Sequence, residues 1–511
     1  MYKSNDYRVV IGIDFGTTYS GFAYAHKKNP SEITVHIDWQ EYTGRFKTPT
    51  ALSYDVEYQN VQSWGFPALA KRPKRRKESE RKPVELFKLH LGKMKDKPAL
   101  PEGFDYKKAI TDYFRELGKV IKKSIAEKWD INFFTQTLIV LTIPAEFDDK
   151  AMTIMRECVH SAGLLRDRYS RNLKFTTEPE AAAVHCMKSL IEHNLPIGAS
   201  FMVVDCGGGT VDLTTRQLLD GERLSEITVR NGDYCGGSYV DQEFLRFLER
   251  RVGTNAIKLV KENHYGQLQF MVQEFVRMVK MKFTGDPSEF ETFDLELDEM
   301  CPILKQYCRG DYLIHMEDDE WSVKLRFKDV KAIESKYLQS RIKKEFSSKI
   351  KLISIPPQPV TSIIKGAVQY GLREEVVFSR VLKWTYGTDI TRRWRQGDPL
   401  NRRRPDDRIV VFEKLAERGK QMPVDAKVSR TFHPFHRQQV KMGLDLFVTT
   451  QENTKFCDEP TSKLLGKFSV DLPPNGDRSV LYEMVFGAVE IEVNARNSNR
   501  EFEPQRYDLD L

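Results

Sequence analysis

Two segments of this chain share one plan, in which an apolar strand ends in an aspartate, a turn of glycine and threonine follows, and the chain returns as a second extended segment. Residues 9–25 read VVIGIDFGTTYSGFAYA, and residues 201–218 read FMVVDCGGGTVDLTTRQL. The two aspartates, Asp14 and Asp205, lie about a domain length apart. A repeat of this kind predicts a duplicated, two-lobed architecture.

Apolar runs alternate with helical patterns in both halves of the chain. TLIVLTIPA at 137–145 is typical of a strand buried on both faces. Apolar residues at helical spacing predict a helix over 110–129, and Asp148 or Asp149 is placed to cap a helix that follows the buried strand. The alternation indicates an α/β fold.

The patterning changes near residue 380. The stretch TRRWRQGDPLNRRR at 391–404 is rich in arginine and predicts a linker or an exposed loop. Strand-like runs follow at 444–450, 466–472 and 479–493. In the last run apolar and polar residues alternate, as is typical of a strand in a sheet with one solvent-exposed face. These runs predict a small C-terminal β-rich domain.

Composition excludes several classes of protein. The chain of 511 residues has 40% hydrophobic and 30% charged residues, which is unlike a fully disordered chain. A net charge of +7 is too small to indicate a nucleic-acid partner. Seven cysteines without a Cys-x-x-Cys pair favour a reducing compartment, and no apolar run has the length of a membrane helix. We therefore expect a cytoplasmic protein with no membrane partner, which the basic run at 71–82 could direct into the nucleus unless that run is a solvated loop.

The two repeated turns offer a cradle for phosphate. Neither common glycine-rich phosphate loop is present, but in DFGTT at 14–18 a glycine allows backbone N–H groups to approach an anion, and two hydroxyls add donors. GGGT at 207–210 offers the same from the other half. Asp14 and Asp205 would then hold Mg²⁺ through its waters. The alternative is a pair of tight hairpins whose glycines serve geometry alone.

Several motifs together resemble a known family. DFGTTYS at 14–20, LTIPAEFDD at 141–149, TEPEAAA at 177–183 and DCGGGTVDLT at 205–214 resemble, in this order, the 70-kDa heat-shock chaperones of the actin-like ATPase group. NGDYCGGSYVDQEF at 231–244 is similar to the segment after the second phosphate loop. The motifs span residues 8–375, and the residues within them are similar to those of a divergent branch of that family.

The resemblance implies a nucleotide site built from both turns. Asp205 would face the metal at the start of the second loop, and Asp212 would lie near the attacking water. The positions that match the phosphate loops are Asp14, Gly16, Thr17, Thr18 and Tyr19 in the first, and Gly207, Gly208, Gly209 and Thr210 in the second.

Further positions match residues around the nucleotide. By resemblance Glu178 orients the water or the metal shell, and Lys88 is the catalytic lysine that stabilises charge on the transferred phosphoryl group. The alternative for Lys88 is a solvated side chain. Gly236 and Gly237 match a glycine pair near the outer phosphates, and Lys280 matches the lysine on the adenosine side.

The chain departs from the family on that adenosine side. Arg277 and Met281 stand where typical members have Glu and Arg. Family members have an apolar strand and a Gly-Gly turn before a helix like the one at 334–346, but here FKDVKAI leads straight into that helix, and no glycine occurs between Gly310 and Gly366. This departure predicts a second-lobe sheet that is short of one strand.

The resemblance implies the following organisation and function. Lobe I covers residues 1–195 with an outer subdomain near 38–108, lobe II covers 196–375, and the β-rich substrate-binding-like domain covers 376–511. MgATP would lie between the two turns and be hydrolysed slowly, although the missing adenosine segment would weaken or abolish hydrolysis. ATP or ADP and a client polypeptide are the expected partners. The alternatives are a non-catalytic scaffold with a degenerate ATPase fold, and a small-molecule kinase of the same fold.

Overall fold

The computed structural model describes residues 7–508 apart from 40–41, 70–82, 95–96, 99, 146, 148, 193, 230, 284–285, 332–344, 347, 349, 351, 374–375, 488–489 and 503–504. The basic run at 71–82, one of the two capping aspartates, Asp148, and most of the helix-like segment at 334–346 lie outside the described residues. In chain order, the helices of the described part are α1 Tyr106–Ala126, α2 Phe133–Gln136, α3 Asp149–Ser161, α4 Glu178–Glu192, α5 Gly237–Val252, α6 Thr254–Asn263, α7 Tyr265–Phe275, α8 Leu297–Met300, α9 Leu304–Tyr307, α10 Asp311–Asp318, α11 Phe327–Lys331 and α12 Ser362–Leu372.

Strands occur along most of the described chain. They are β1 Val9–Phe15, β2 Tyr19–His26, β3 Thr34–Val35, β4 Asp38–Trp39, β5 Tyr42–Thr43, β6 Thr48–Pro49, β7 Ala51–Tyr54, β8 Val61–Trp64, β9 Val84–Glu85, β10 Thr137–Ile143, β11 Leu173–Thr177, β12 Ser200–Cys206, β13 Val211–Leu219, β14 Arg223–Glu226, β15 Asn231–Asp233, β16 Phe293–Glu296, β17 Ser322–Leu325, β18 Val377–Val381, β19 Thr385–Arg393, β20 Arg408–Ala416, β21 Gln421–Pro423, β22 Ala426–Phe432, β23 Lys441–Thr449, β24 Lys463–Asp471, β25 Val480–Phe486, β26 Glu490–Arg496 and β27 Gln505–Asp508.

The first sheet is built around β1. Its order is β11-β10-β1-β2-β3, and β6 also pairs with β2. β1 runs parallel to β10 and antiparallel to β2, and all seven residues of β1 are buried. The strand predicted over 137–145 is confirmed as β10, which is also buried at every position. Both strands lie in the middle of a sheet that is covered on both faces.

Helices cover the two faces of the first sheet. The predicted helix over 110–129 is confirmed as α1, which begins where the side chain of Asp105 accepts a hydrogen bond from the amide of Lys107 at 2.9 Å. On the other face, Ile364 of α12 packs against Val10. A Cβ at Gly366 would collide with the carbonyl oxygen of Ala181, so glycine is required where α12 crosses α4.

The second sheet repeats part of this plan. Its order is β12-β13-β14-β18-β21, and β15 also pairs with β13. β12 and β13 are antiparallel, as β1 and β2 are, and Asp205 lies opposite Asp212. β18 pairs in parallel with β14, although it follows the boundary predicted at 375. The first strand of the C-terminal part thus extends the second sheet.

Two further cores follow the second sheet. Helices α5 to α11 and the β16–β17 hairpin surround a cluster in which the rings of Phe244 and Phe275 stack at 4.0 Å. Beyond residue 384, two antiparallel sheets with the orders β20-β19-β23-β24 and β22-β25-β26-β27 share a second core. The runs predicted to be strands at 444–450, 466–472 and 479–493 contribute to these sheets.

The arginine-rich stretch at 391–404 is part of a hairpin rather than a linker between domains. β19 continues to Arg393, and β20, which begins at Arg408, pairs with it. Arg392 makes two hydrogen bonds of 2.8 Å to Asp398, and the guanidinium of Arg403 lies 4.9 Å from the ring of Trp394. Local partners hold these side chains in an exposed loop between β19 and β20, so the exposed loop predicted for this stretch is confirmed and the predicted linker is not.

In the described part of the chain, no helix combines the length and the apolar character needed to cross a bilayer. The seven cysteines all lie within the described residues and none of them forms a disulfide, and Cys158, Cys301 and Cys308 are buried. Buried thiols of this kind pack as small apolar side chains.

Candidate functional site

The structure brings the two glycine–threonine turns together. A Cβ added to Gly208 would collide with the hydroxyl of Thr18, and one added to Gly209 would lie 2.6 Å from the hydroxyl of Thr17. The turn between β1 and β2 therefore touches the turn between β12 and β13. Only glycine permits so close an approach of the second backbone to the first turn.

A third segment completes the second turn. The amides of Gly236, Gly237 and Ser238 donate hydrogen bonds to the carbonyl oxygens of Gly209 at 3.2 Å, Gly207 at 2.9 Å and Gly208 at 2.7 Å, respectively. The chain after this glycine pair forms α5, a helix of 16 residues. Its N-terminus, where backbone N–H groups and the helix dipole favour anions, thus lies beside the second turn.

Asp212 connects the second turn to the first half of the molecule. Its Oδ2 accepts a hydrogen bond from the hydroxyl of Thr210 at 2.8 Å, and its Oδ1 accepts one from the amide of Ala145 at 3.1 Å. Ala145 follows β10, so the carboxylate is held from both halves. Burial nevertheless raises the pKa of Asp212, and the bonds from Thr210 and Ala145 work against that rise.

Lys88 and Glu178 form a buried ion pair. The Nζ of Lys88 lies 2.7 Å from Oε1 of Glu178, and the lysine side chain is 2% exposed. The alternative that Lys88 is a solvated lysine is therefore wrong. Burial raises the pKa of Glu178, and attraction to Lys88 opposes the rise. The pair places one cation and one carboxylate in the same closed site.

Asp205 is the unsatisfied carboxylate of the site. Its Oδ2 is buried and has no hydrogen-bond partner among the described residues. Burial, followed by repulsion from Glu178, Asp212 and Asp14, raises the pKa of Asp205 to about 8. A buried carboxyl group in this state is a place where a cation would relieve both desolvation and repulsion.

These carboxylates fit a magnesium ion that is held through its waters. Within the described residues, no three His, Cys, Asp or Glu side chains converge closely enough to ligate a metal directly. Mg²⁺ keeps several waters and commonly takes only one or two carboxylates. Asp14, which is buried, and Asp205 with its free oxygen suit that second arrangement.

The titration of Asp205 gives a prediction for stability. The folded pKa of about 8 exceeds the value of about 4 expected in the unfolded chain, so the neutral form stabilises the fold and this contribution is lost as pH rises from about 4 to about 8. We expect the free energy of unfolding to fall by up to about 1.4 kcal/mol per pH unit in this window. Asp205→Asn should flatten the dependence in denaturant titrations at several pH values. Equal slopes for both proteins would contradict this account of Asp205.

Lys47 belongs to the site, and the sequence motifs did not reveal it. Its Nζ lies 2.5 Å from Oδ2 of Asp14. Burial alone would lower the pKa of Lys47, but attraction to Asp14, Asp205 and Glu178 raises it above the ordinary value. The available signal was the run KTPT at 47–50, because β6 pairs with the start of β2 and so places Lys47 beside the first turn.

On the predicted adenosine side, Lys280 binds the start of α5. Its Nζ donates to the carbonyl oxygen of Gly237 at 2.5 Å and to Oδ1 of Asp241 at 2.8 Å. Arg277 instead pairs with Glu274, its neighbour on the same helical segment, and Met281 is largely exposed. Tyr19, which follows the first turn, is partly exposed at the rim.

The outer segment around Lys88 also reaches across the cleft. Glu85 accepts hydrogen bonds from Tyr265 and, at 2.6 Å, from Gln269, both on α7. The amide of Lys93 donates to the hydroxyl of Tyr234 at 3.0 Å. These contacts join residues 85–93 to the segments that surround the second turn, so the site is enclosed from both halves.

Mixed sheets joined by helices, with two aspartate–glycine turns that meet, fit the actin-like ATPase fold. No protein-family model matches the chain. Heat shock 70 kDa protein 12A of Mus musculus is 24% identical over 96% of this chain and 90% of its own length. Heat shock 70 kDa protein 12B of Homo sapiens is 23% identical over 96% and 89%, and the chaperone protein HscA homolog of Chromobacterium violaceum is 24% identical over 58% and 46%. Over nearly its whole length the chain is thus similar to heat shock 70 kDa proteins 12A and 12B, which supports the divergent branch of the 70-kDa heat-shock family that its motifs resemble.

Proposed function

We propose that this protein is a chaperone-like ATPase that holds MgATP between its two glycine–threonine turns and couples slow hydrolysis to its C-terminal β-rich part. The single observation that carries the proposal is the contact of Gly208 and Gly209 with Thr17 and Thr18. Two anion cradles that meet at one point, with buried carboxylates beside them, suit a metal-bound triphosphate. Similarity to proteins of the 70-kDa heat-shock family supports the same function.

In this proposal each side chain has a defined task. Asp14 and Asp205 would hold the waters of Mg²⁺, which when bound neutralises charge on the phosphates. Asp212, fixed by Thr210 and Ala145, would orient the attacking water, and Glu178 would position Lys88. Lys88 would stabilise the charge that develops on the transferred phosphoryl group, so catalysis is mainly positional and electrostatic.

The helix α4 would couple the cleft to the C-terminal part. Glu178 lies in the site, and Glu180 on the same helix binds Arg216 at 3.1 Å and also pairs with Arg380. Arg380 belongs to β18, which leads into the C-terminal sheets. A shift of α4 on hydrolysis would change both ends of this network, which is how one site biases another.

The departures on the adenosine side favour a second candidate, a non-catalytic interaction protein with a degenerate ATPase fold. The aligned region with heat shock 70 kDa protein 12A has 624 positions, more than the 511 residues of this chain, so parts of the relative have no counterpart here. The loss of a strand and of the adenosine turn, which the sequence predicts, would leave the nucleotide base without a surface to pack against. Phosphate contacts would then dominate binding.

Two substitutions test the proposed ATPase. Asp14→Asn and Thr210→Val should each lower phosphate release from MgATP at least about tenfold, which corresponds to about 1.4 kcal/mol. Asp294→Asn, at an exposed position of β16, is the matched control and should behave as the wild type. Unchanged release in both site variants would refute the assignment of the site. Release without any phospho-acceptor would count against a small-molecule kinase, and no release from the wild type would favour the non-catalytic candidate.

A further inference from the structure

The two halves of the molecule differ beside their central strands. β1 has the antiparallel β2 on one side and the parallel β10 on the other. β12, its counterpart in the repeat, pairs with β13, and its other edge has no strand among the described residues. No strand in the described part of the chain pairs with the backbone groups of that edge, which is the kind of edge that can accept a further strand.

The exposure of β12 shows the same difference. All residues of β1 are buried, whereas burial alternates along β12. Phe201 and Val203 pack against the cluster that includes α4, but on the opposite face Met202 is 52% exposed and Val204 is 38% exposed. A central strand of an α/β sheet is normally covered on both faces, so this apolar face lacks its cover.

The segment before α12 supports this comparison of the two halves. In the first half, β10 is succeeded by β11 and then by α4. In the second half, α12 is preceded by the segment 350–358, in which Ile350, Leu352 and Ile355 are each about 40% exposed. This segment forms no strand in the described residues, although it stands where β11 stands in the first half. Among the described residues, the second half therefore has no strand that corresponds to β10.

We propose that the open edge of β12 binds an extended apolar segment of another polypeptide, which adds to the second sheet as a parallel strand. The chemistry of the occupant follows from β10, whose sequence TLIVLTI is buried at every position in the equivalent place. Backbone hydrogen bonds to β12 would give affinity, and apolar side chains over Met202 and Val204 would give specificity. This edge lies on the side of β12 away from β13, on the strand that also carries Asp205.

A second copy of this chain fits the edge less well. Two β12 edges related by a twofold axis would run antiparallel to one another, because a twofold contact is isologous. The equivalent position in the first half takes a parallel strand. A strand from a different polypeptide meets that requirement without symmetry constraints.

The test uses a defined peptide and the full chain. The probe is a fluorescent peptide with the sequence TLIVLTI of residues 137–143, flanked by two lysines at each end, and its control carries Val140→Pro, which removes a backbone donor. We expect the probe to bind, and its addition to slow hydrogen exchange of residues 200–206. Met202→Glu should weaken binding about tenfold or more, even though the new charge attracts the lysines. Val440→Glu, at a position that is 71% exposed in the C-terminal part, is the matched control and should have no effect.

Four results of the binding experiments would overturn the proposal, and a fifth comes from the free protein. They are absence of probe binding, equal binding of the Val140→Pro peptide, wild-type affinity of Met202→Glu, and protection confined to the C-terminal sheets. Slow exchange, before any peptide is added, of the amides of residues 200–206 that do not bond to β13 would also overturn it, because the open edge would then be covered within the chain or by a second copy. These readouts need no nucleotide, so they are independent of the proposed ATPase activity.

Discussion

Glu180→Ala is expected to lower the free energy of unfolding by about 3–5 kcal/mol. Glu180 is fully buried and binds the guanidinium groups of Arg216 and Arg380, and it also accepts a hydrogen bond from the hydroxyl of Thr176 at 2.8 Å. Alanine would leave two guanidinium groups in the interior without this carboxylate. The penalty is large because a buried charge that loses its partner remains desolvated.

Denaturant titration of the wild type and of Glu180→Ala, in which unfolding of the second sheet is monitored, measures this loss of stability. Glu417→Ala is the matched control, because Glu417 pairs with Lys414 and Lys420 near the surface. Its removal should change the stability little, because solvent screens an ion pair at the surface. If Glu180→Ala were as mild as the control, the network that joins α4 to β18 would not hold the two parts of the molecule together.

Gly208→Val should weaken MgATP binding by a factor of about one hundred or more, which corresponds to about 2.7 kcal/mol. The Cβ of valine would collide with the hydroxyl of Thr18 and push the two turns apart. It would also prevent the backbone of the second turn from approaching an anion. Both effects act directly on the two glycine–threonine turns that would bind the phosphates.

The control for this substitution is Gly443→Val in β23. An added Cβ there meets nothing within 4 Å, and the position lies in the C-terminal part of the chain. Both variants should keep the far-ultraviolet circular dichroism of the wild type. Wild-type affinity of a folded Gly208→Val protein would show that the second turn does not contact the nucleotide.

Local patterns in the sequence were sufficient to predict the elements that carry the turns. The repeat of apolar strand, aspartate and glycine predicted β1, β2, β12 and β13, because alternation and turn residues act over a few positions. The burial of β10 was predicted for the same reason. Each of these features is encoded within one short stretch of chain.

Long-range partners could not be predicted in this way. Lys47 meets Asp14 across 33 positions, and Arg380 meets Glu180 across 200. In the sequence each is an ordinary charged residue, and only the fold decides which of them loses water and gains a partner. The exposed loop at 391–404 was predicted, but the partners of its arginines were not, since Asp398 and Asp458 hold two of them in place.

Calorimetric titration of the full chain with ATP in excess Mg²⁺ tests the central idea most directly. If the paired hairpins of the two halves grip a single triphosphate, binding should be micromolar with one site per chain, and it should be lost without Mg²⁺. Absence of heat at millimolar nucleotide, with a folded protein, would contradict this and leave the meeting of the hairpins as a structural feature alone.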